Sequence, residues 1–424
     1  MTKNLFPGDD GFEAASRPWN LTVQQPVTSV AEVTEAAEVA ELVRHARRTG
    51  AAIAVQPNGH GASGNAGGAI LLRTGGLDTV EVDPGRRVAR VGAGAKWGQV
   101  QAEAARHGLT GLPGSAPGVG VTGYLLGGGL SWFSRKFGFA AGSVLAFEVV
   151  DADGEQRRVS ADSDPELFWA LRGGGGDIAI VTALAIGLQA IDTVYGGRVM
   201  WPGQRAAEVL ELFRALTFDA PEELTVWFNH VQPPGAPAMA GLDLTFYGSD
   251  SEAKEVLGRI DELGGAMLDT RGTLALSELG TITNDPTDPS PGLGRGELVP
   301  VLDERVVELV LGELAPLIGF QLRHLGGALA RPSDLPSGSL AEPYLLYAFG
   351  AGIGPELTEA VRGRLARLTE ELGDSVSGRR PYTFLAPGDS AAQAFTRADL
   401  ERLRELKRAR DPQGVFRANY PVLG

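Results

Sequence analysis

His60 stands in the stretch VQPNGHGASGNAGG, residues 55–68, with a glycine on each side and an apolar run just before it. The chain has only five histidines among its 424 residues, so this position asks for a reason. Glycines on both sides remove neighbouring side chains and let a bulky group approach the backbone. Two readings follow: a turn that contains a histidine, or a histidine presented to a ligand. The other histidines are His45, His107, His230 and His324, and no pair forms HxxxH or HExxH, so no metal site is expected. Cysteine is absent, which excludes disulfides, iron–sulfur clusters, thiolate zinc and a cysteine nucleophile together. His230 in VWFNHVQ and His324 in FQLRHLGG fall on candidate strands and are candidate catalytic groups, against a structural role for each.

Glycine clusters recur at GLPGSAPGVGVTGYLLGGGL, 111–130, and in RGGGGDIAIV, 172–181. Such segments suit a phosphate-bearing ligand lying along backbone amides. No GxxxxGK followed by Ser or Thr is present, which removes a Walker A loop. GAGAKWG follows a strand, but its third glycine comes one place late and no acidic residue stands about 20 places on, where a ribose would be held. A flavin dinucleotide fits better. Amides can hold its pyrophosphate, glycines make room for its broad ring, and a histidine can tether the ring's methyl group.

The elements that must position these residues are legible in outline. EVTEAAEVAELVRHARRT, 32–49, has helical spacing and stops at Gly50. Strands are expected at 51–56 and 70–74, a hairpin turns at Pro84-Gly85, and a helix spans 96–108. A second hairpin surrounds Asp153-Gly154, followed by a helix, a four-glycine break and a long strand. Near residue 193 the glycine clusters thin. Helices at 205–216, 251–263, 303–317 and 355–372 then alternate with strands at 224–232, 240–247, 318–325 and 344–350, an α+β pattern with an antiparallel sheet. NDPTDPSPGLGRG, 284–296, reads as a long loop: a lid or an ordinary surface loop. The length suits two domains. A net charge of −14 argues against nucleic acid. No apolar run of about 18 residues is present to span a bilayer, and the first twenty residues lack the order of a secretory signal. A cytoplasmic location is the default expectation.

PNGHGASG, the spaced GxPGSAPGVGVTGYLLGGGLSWFSRKFG, EVVDADG, DPELFWALRGGGGDIAIVT and LKRARDPQGVFRANYP occur in that order. Together they resemble the berberine-bridge-enzyme-like branch of the vanillyl-alcohol-oxidase flavoprotein family, closely over 55–190 and 400–422. The resemblance implies an α+β fold: a two-subdomain FAD-binding domain and a substrate domain whose antiparallel sheet covers the flavin. The implied boundaries are 1–193 for the FAD domain, 194–382 for the substrate domain and 383–424 for a return to the first. His60 matches the histidine bonded to flavin, and Asn58, Gly59, Gly61 and Ala62, with Ser63 beside them, match the loop holding the pyrophosphate. Gly114, Ser115, Pro117, Gly118, Val119, Gly120, Thr122, Gly123 and Tyr124 match the strip under the ring. Gly127, Gly128, Gly129, Ile180, Val181 and Asn419 complete the implied cofactor contacts. Ala116 occupies the position of the second attachment cysteine of some members, so attachment through His60 alone is implied.

Two departures stand out. GDIA replaces the usual GNFG, so Asp177 is expected to turn its side chain away from the pyrophosphate. RRPYTFLAPG keeps only half of YxN(Y/F): Tyr382 matches the active-site tyrosine, whereas Phe384 stands where asparagine is usual. Val119 matches a position where a small branched residue accompanies oxygen reactivity. The implied activity is an FAD-dependent oxidase that removes hydride from an alcohol or amine C–H of a small molecule. Tyr382, Tyr124, His230 or His324 takes the proton, oxygen is the acceptor, and hydrogen peroxide forms. Tailoring of a bacterial natural product by a monomer or homodimer is consistent with this. The alternatives are a flavin dehydrogenase with another acceptor and a flavin-binding protein with a decayed substrate site.

Overall fold

The computed structural model describes residues 3–424. The helix Ala36–Thr49 starts at a capping box in which Glu35 and Glu38 bond each other's backbone amides, and ends where Gly50 adopts φ 71°. Its apolar face, Val39, Ala40, Val43 and Ala46, is buried between two sheets. One is a five-stranded sheet in the order Lys3–Leu5, Ser29–Glu32, Ile70–Arg73, Ile53–Val55, Phe416–Arg417. After the first antiparallel pair its strands are parallel, and the last comes from the far end of the chain. The other is antiparallel: Val80–Asp83, Val88–Gly92, Ile180–Gly187, Val144–Val150, Gln156–Val159. The strand Ile53–Val55 therefore delivers the His60 loop at the carboxyl end of a parallel sheet, where ligands of open α/β sheets bind.

An eight-stranded antiparallel sheet occupies residues 193–351. Its strands alternate between two faces. Leu224, Val226 and Phe228, with Phe320 and Leu322, pack under the helices Ala206–Thr217, Asp250–Leu263, Glu304–Leu311 and Pro355–Leu372. Thr225, Trp227, Asn229, Gln321 and Arg323 fall on the opposite face by register.

Two local expectations need correction, and two elements were not anticipated. The expected loop at 284–296 ends at 291, and Gly292–Val299 is a strand paired with Tyr344–Ala351. Its alternating glycines hide the strand pattern, but they make room for aromatic rings: a Cβ on Gly294 would strike Tyr347, and one on Gly296 would press on Phe384. Thr193–Pro202 is a ten-residue strand, the helix expected to reach 317 ends at Leu311, and Val121–Leu126 is a short helix within the glycine-rich strip. No helix among the described residues is long and apolar enough to cross a membrane.

Candidate cofactor and substrate site

A cavity of about 320 Å³ lies where the His60 loop, the glycine-rich strip, the eight-stranded sheet and the C-terminal segment meet. Gly59 sits at φ +77°, and a Cβ there would lie 2.8 Å from Pro18, so the bend before His60 needs glycine. Asn58 fastens loop to strip: its Nδ2 donates to the Gly118 carbonyl at 2.8 Å, while its Oδ1 accepts from the His60 amide at 3.4 Å. Ser63 Oγ donates to the Asn419 carbonyl at 2.6 Å, drawing the C-terminal segment onto the same loop.

The His60 ring stacks on Trp19 with centroids 3.9 Å apart and planes 18° from parallel. Its Nε2 is buried and, among the described residues, has no hydrogen-bond partner. Burial first, then the Lys96 charge, lowers its pKa to about 4, with Asp285 opposing. The ring is therefore neutral at pH 7, and His60 lines the cavity. A neutral imidazole and a backbone cradle fit a flavin dinucleotide held by the loop and strip.

Gly114, Ser115, Ala116, Val119, Gly120, Gly123 and Tyr124 line the cavity from the strip. Tyr124 donates to the Leu112 carbonyl at 3.1 Å, and its ring meets Trp97 edge-on at 5.4 Å. Burial raises its pKa, and the Arg323 charge opposes the rise. Tyr382 also lines the cavity, but its hydroxyl donates to the Tyr420 carbonyl at 3.5 Å. Burial, then the charge of Asp177, raises its pKa. Asp177 itself turns away from the cavity, as the sequence suggests. It accepts from the Ala418 and Val422 amides at 3.3 and 3.0 Å and pairs with Lys407 at 3.3 Å. Phe384 lines the cavity and meets Tyr347 edge-on at 5.6 Å.

Several candidates lie elsewhere. His230 shares the helix-side parity of Phe228, and its Nδ1 bonds the Val310 carbonyl at 2.8 Å. His324 shares that of Leu322 and lies 2.9 Å from Arg135. Neither lines the cavity, because a strand sends alternate side chains to opposite faces. The structure places Arg323 there instead. Gly127, Gly128 and Gly129 also stand back from the cavity. A Cβ on them would meet Thr383, Ser337 or the Tyr124 ring respectively. Ile180, Val181, Thr122 and Ala62 are buried and do not line the cavity. Pro117 packs on Gly98 and Gly280, while Gly118 leaves His60 Nε2 4.0 Å from where its Cβ would stand. The residues that sequence reasoning missed are Trp19, Gln56, Arg323 and Tyr420. Trp19 carries no motif, and Gln56 and Tyr420 adjoin motifs that drew attention to other positions. Among the described residues no group of three or more His, Asp or Glu side chains could hold a metal ion.

The family model described as FAD binding domain matches residues 27–160. The chain is 32% identical over 288 residues to (R)-6-hydroxynicotine oxidase of Paenarthrobacter nicotinovorans, a match covering 66% of this chain and 59% of that protein. Its fold superposes on 6-hydroxy-D-nicotine oxidase of Arthrobacter nicotinovorans with a TM-score of 0.86 at 24% identity, covering 100% of this chain and 98% of that one. The BBE-like 1 protein of Physcomitrella patens gives 0.87 at 19% identity, covering 99% and 96%.

Proposed function

We propose that the chain is a member of the berberine-bridge-enzyme-like branch of the vanillyl-alcohol-oxidase flavoproteins and an FAD-dependent oxidase of a small-molecule alcohol or amine, supported by its FAD binding domain and its oxidase relative. The observation that carries the cofactor assignment is His60: neutral, stacked on Trp19, with an unpartnered buried nitrogen, in a loop that lines the cavity. Asn58, Gly59 and Gly61 would hold the dinucleotide from the loop, and Val119, Gly120 and Gly123 from the strip. Bound flavin supplies the redox chemistry, accepting hydride from substrate and passing electrons on. His60 is the proposed single covalent tether. Oxygen is the proposed acceptor, supported by the small branched Val119 in the strip and by the oxidase name of the P. nicotinovorans relative.

Proton removal needs a group whose charged form is supported. Tyr124 is the better candidate, because Arg323 opposes the effect of burial on it. For Tyr382 the charge of Asp177 acts in the wrong direction. The test of the cofactor proposal is acid precipitation combined with mass spectrometry. Wild-type protein is expected to stay yellow in the pellet and to exceed its sequence mass by about one FAD. His60→Ala is expected to lose both properties while binding FAD reversibly through backbone amides. Flavin released by acid from the wild type overturns covalent attachment, and slow reoxidation of reduced flavin in air overturns the oxidase assignment in favour of a dehydrogenase.

A further inference from the structure

Arg323 emerges from the strand Gly319–His324 on the cavity side of the large sheet and lines the cavity. Its position is held by a chain of side-chain hydrogen bonds along that face. Arg323 Nε donates to Gln321 Oε1 at 2.6 Å, and Gln321 Nε2 donates to Asn229 Oδ1 at 2.8 Å. Asn229 Nδ2 donates to Asp243 Oδ2 at 3.0 Å, and Arg198 grips Asp243 through two bonds of 2.6 and 2.8 Å. The guanidinium carbon rests 3.9 Å from the Trp227 ring centroid and 5.1 Å from that of Phe384. One nitrogen and two rings thus fix the plane of the group.

The chain of bonds orients Arg323 without neutralising it. Arg198 and Asp243 cancel, Asn229 and Gln321 carry no charge, and a full positive charge remains at the cavity end. Among the described residues no carboxylate lies within 4.0 Å of Arg323, and its two terminal nitrogens have no hydrogen-bond partner. Asp285, the carboxylate whose charge acts most strongly on Arg323, lies beyond ion-pair distance of it and accepts a hydrogen bond from Ser115 at 2.6 Å. An arginine left unpaired in a chain of net charge −14 is not a product of bulk composition. A planar fork with its terminal donors free matches a carboxylate, which it can bind through two parallel bonds.

We propose that Arg323 is the substrate anchor, binding a carboxylate of an acidic small molecule inside the cavity. This rests on the oxidase reading above and narrows its substrate class from alcohols and amines in general to those that carry a carboxylate. Gln321, Asn229, Asp243 and Arg198 are positioning residues, acting through Arg323.

The test uses the purified holoprotein and three carboxylates, acetate, butanoate and benzoate, each against its uncharged amide. Binding is read by calorimetry and by perturbation of the visible flavin spectrum. At least one carboxylate is expected to bind about tenfold or more tightly than its amide and to shift the spectrum. Arg323→Met is expected to erase that preference with flavin content unchanged, and Arg323→Lys to keep part of it. Wild-type protein that binds flavin but shows no preference for any carboxylate overturns the proposal, as does an Arg323→Met variant that retains the preference. The first of those results, joined to a shifted flavin potential in Arg323→Met, assigns the arginine to the flavin instead. Should Arg323→Met fail to fold, the wild-type comparison and Arg323→Lys decide. Protein that takes up no FAD overturns the oxidase reading, and the calorimetric comparison then still decides for or against Arg323.

Discussion

A tyrosine in water keeps its proton to about pH 10, and burial makes that proton harder to remove at both Tyr124 and Tyr382. Neighbouring charge separates the two. Tyr124 shares the cavity with Arg323, whereas Tyr382 feels Asp177; each hydroxyl donates to a backbone carbonyl, of Leu112 at 3.1 Å and of Tyr420 at 3.5 Å. Tyr124→Phe is therefore expected to slow anaerobic flavin reduction about tenfold or more, the usual size for losing an acid–base group. Tyr382→Phe is expected to leave that rate within about threefold and to cost about 1 kcal/mol of stability through its lost hydrogen bond. Stopped-flow measurement with any compound that bleaches the wild-type flavin checks the order, and the reverse order assigns the proton to Tyr382. His60 was legible in the sequence because its glycine neighbours are its structural context. The stacking of Trp19 on it was not, since the two lie on separate segments.

At the scale of elements, the glycine-rich strip shows how one composition serves two purposes. Gly120 and Gly123 face the cavity, while Gly128 faces the protein. Gly128 sits at φ +92°, and a Cβ would stand 2.9 Å from Ser337 Oγ and 3.2 Å from the Phe139 ring. Backbone strain and overpacking each cost about 1–3 kcal/mol. Gly128→Val is accordingly expected to lower unfolding stability by about 3 kcal/mol in denaturant titration, with the folded fraction still carrying flavin. A stably folded variant without flavin would return Gly128 to direct cofactor contact. The strands of the large sheet teach a related lesson. FQLRHLGG displays a histidine and an arginine side by side, and period-two alternation guarantees that only one can face the cavity. Which one it is depends on the register of Gly319–His324 against Leu224–Val231, with Trp227 opposite Arg323.

Across the whole molecule, the C-terminal segment closes the site by returning to the first sheet, where Phe416–Arg417 pairs with Ile53–Ala54. Lys407 fixes that return. Its Nζ donates to Asp411 Oδ2 at 2.8 Å, to the Phe416 carbonyl at 2.8 Å and to the Asp177 carbonyl at 2.6 Å. It also pairs with the Asp177 carboxylate. Lys407→Met strands two buried carboxylates, Asp177 and Asp411, and breaking such a pairing typically costs about 3–5 kcal/mol. A loss of about 3 kcal/mol in unfolding stability is expected, together with faster proteolysis of residues 411–424. An unchanged melting temperature and cleavage rate would show that the segment is held by its strand pairing alone. The same lysine explains why aspartate is tolerated at 177, a departure that looked hostile to an anionic cofactor when only its neighbours in sequence were considered. The sequence by itself determined the features that act over short separations: the bend around His60, the helix ending at Gly50, though it starts at Ala36 and not at residue 32, the turns of both hairpins and the absence of any thiol chemistry. Those depend on backbone preference and side-chain type, which adjacent residues settle. Tertiary structure alone decided that Arg323 faces the cavity while His230 and His324 do not, that Asp177 answers to Lys407, and that Trp19 stacks on His60. Each of these is a meeting of distant segments, governed by strand register and by the need to pair buried charge, and neither is written in any single stretch of the chain.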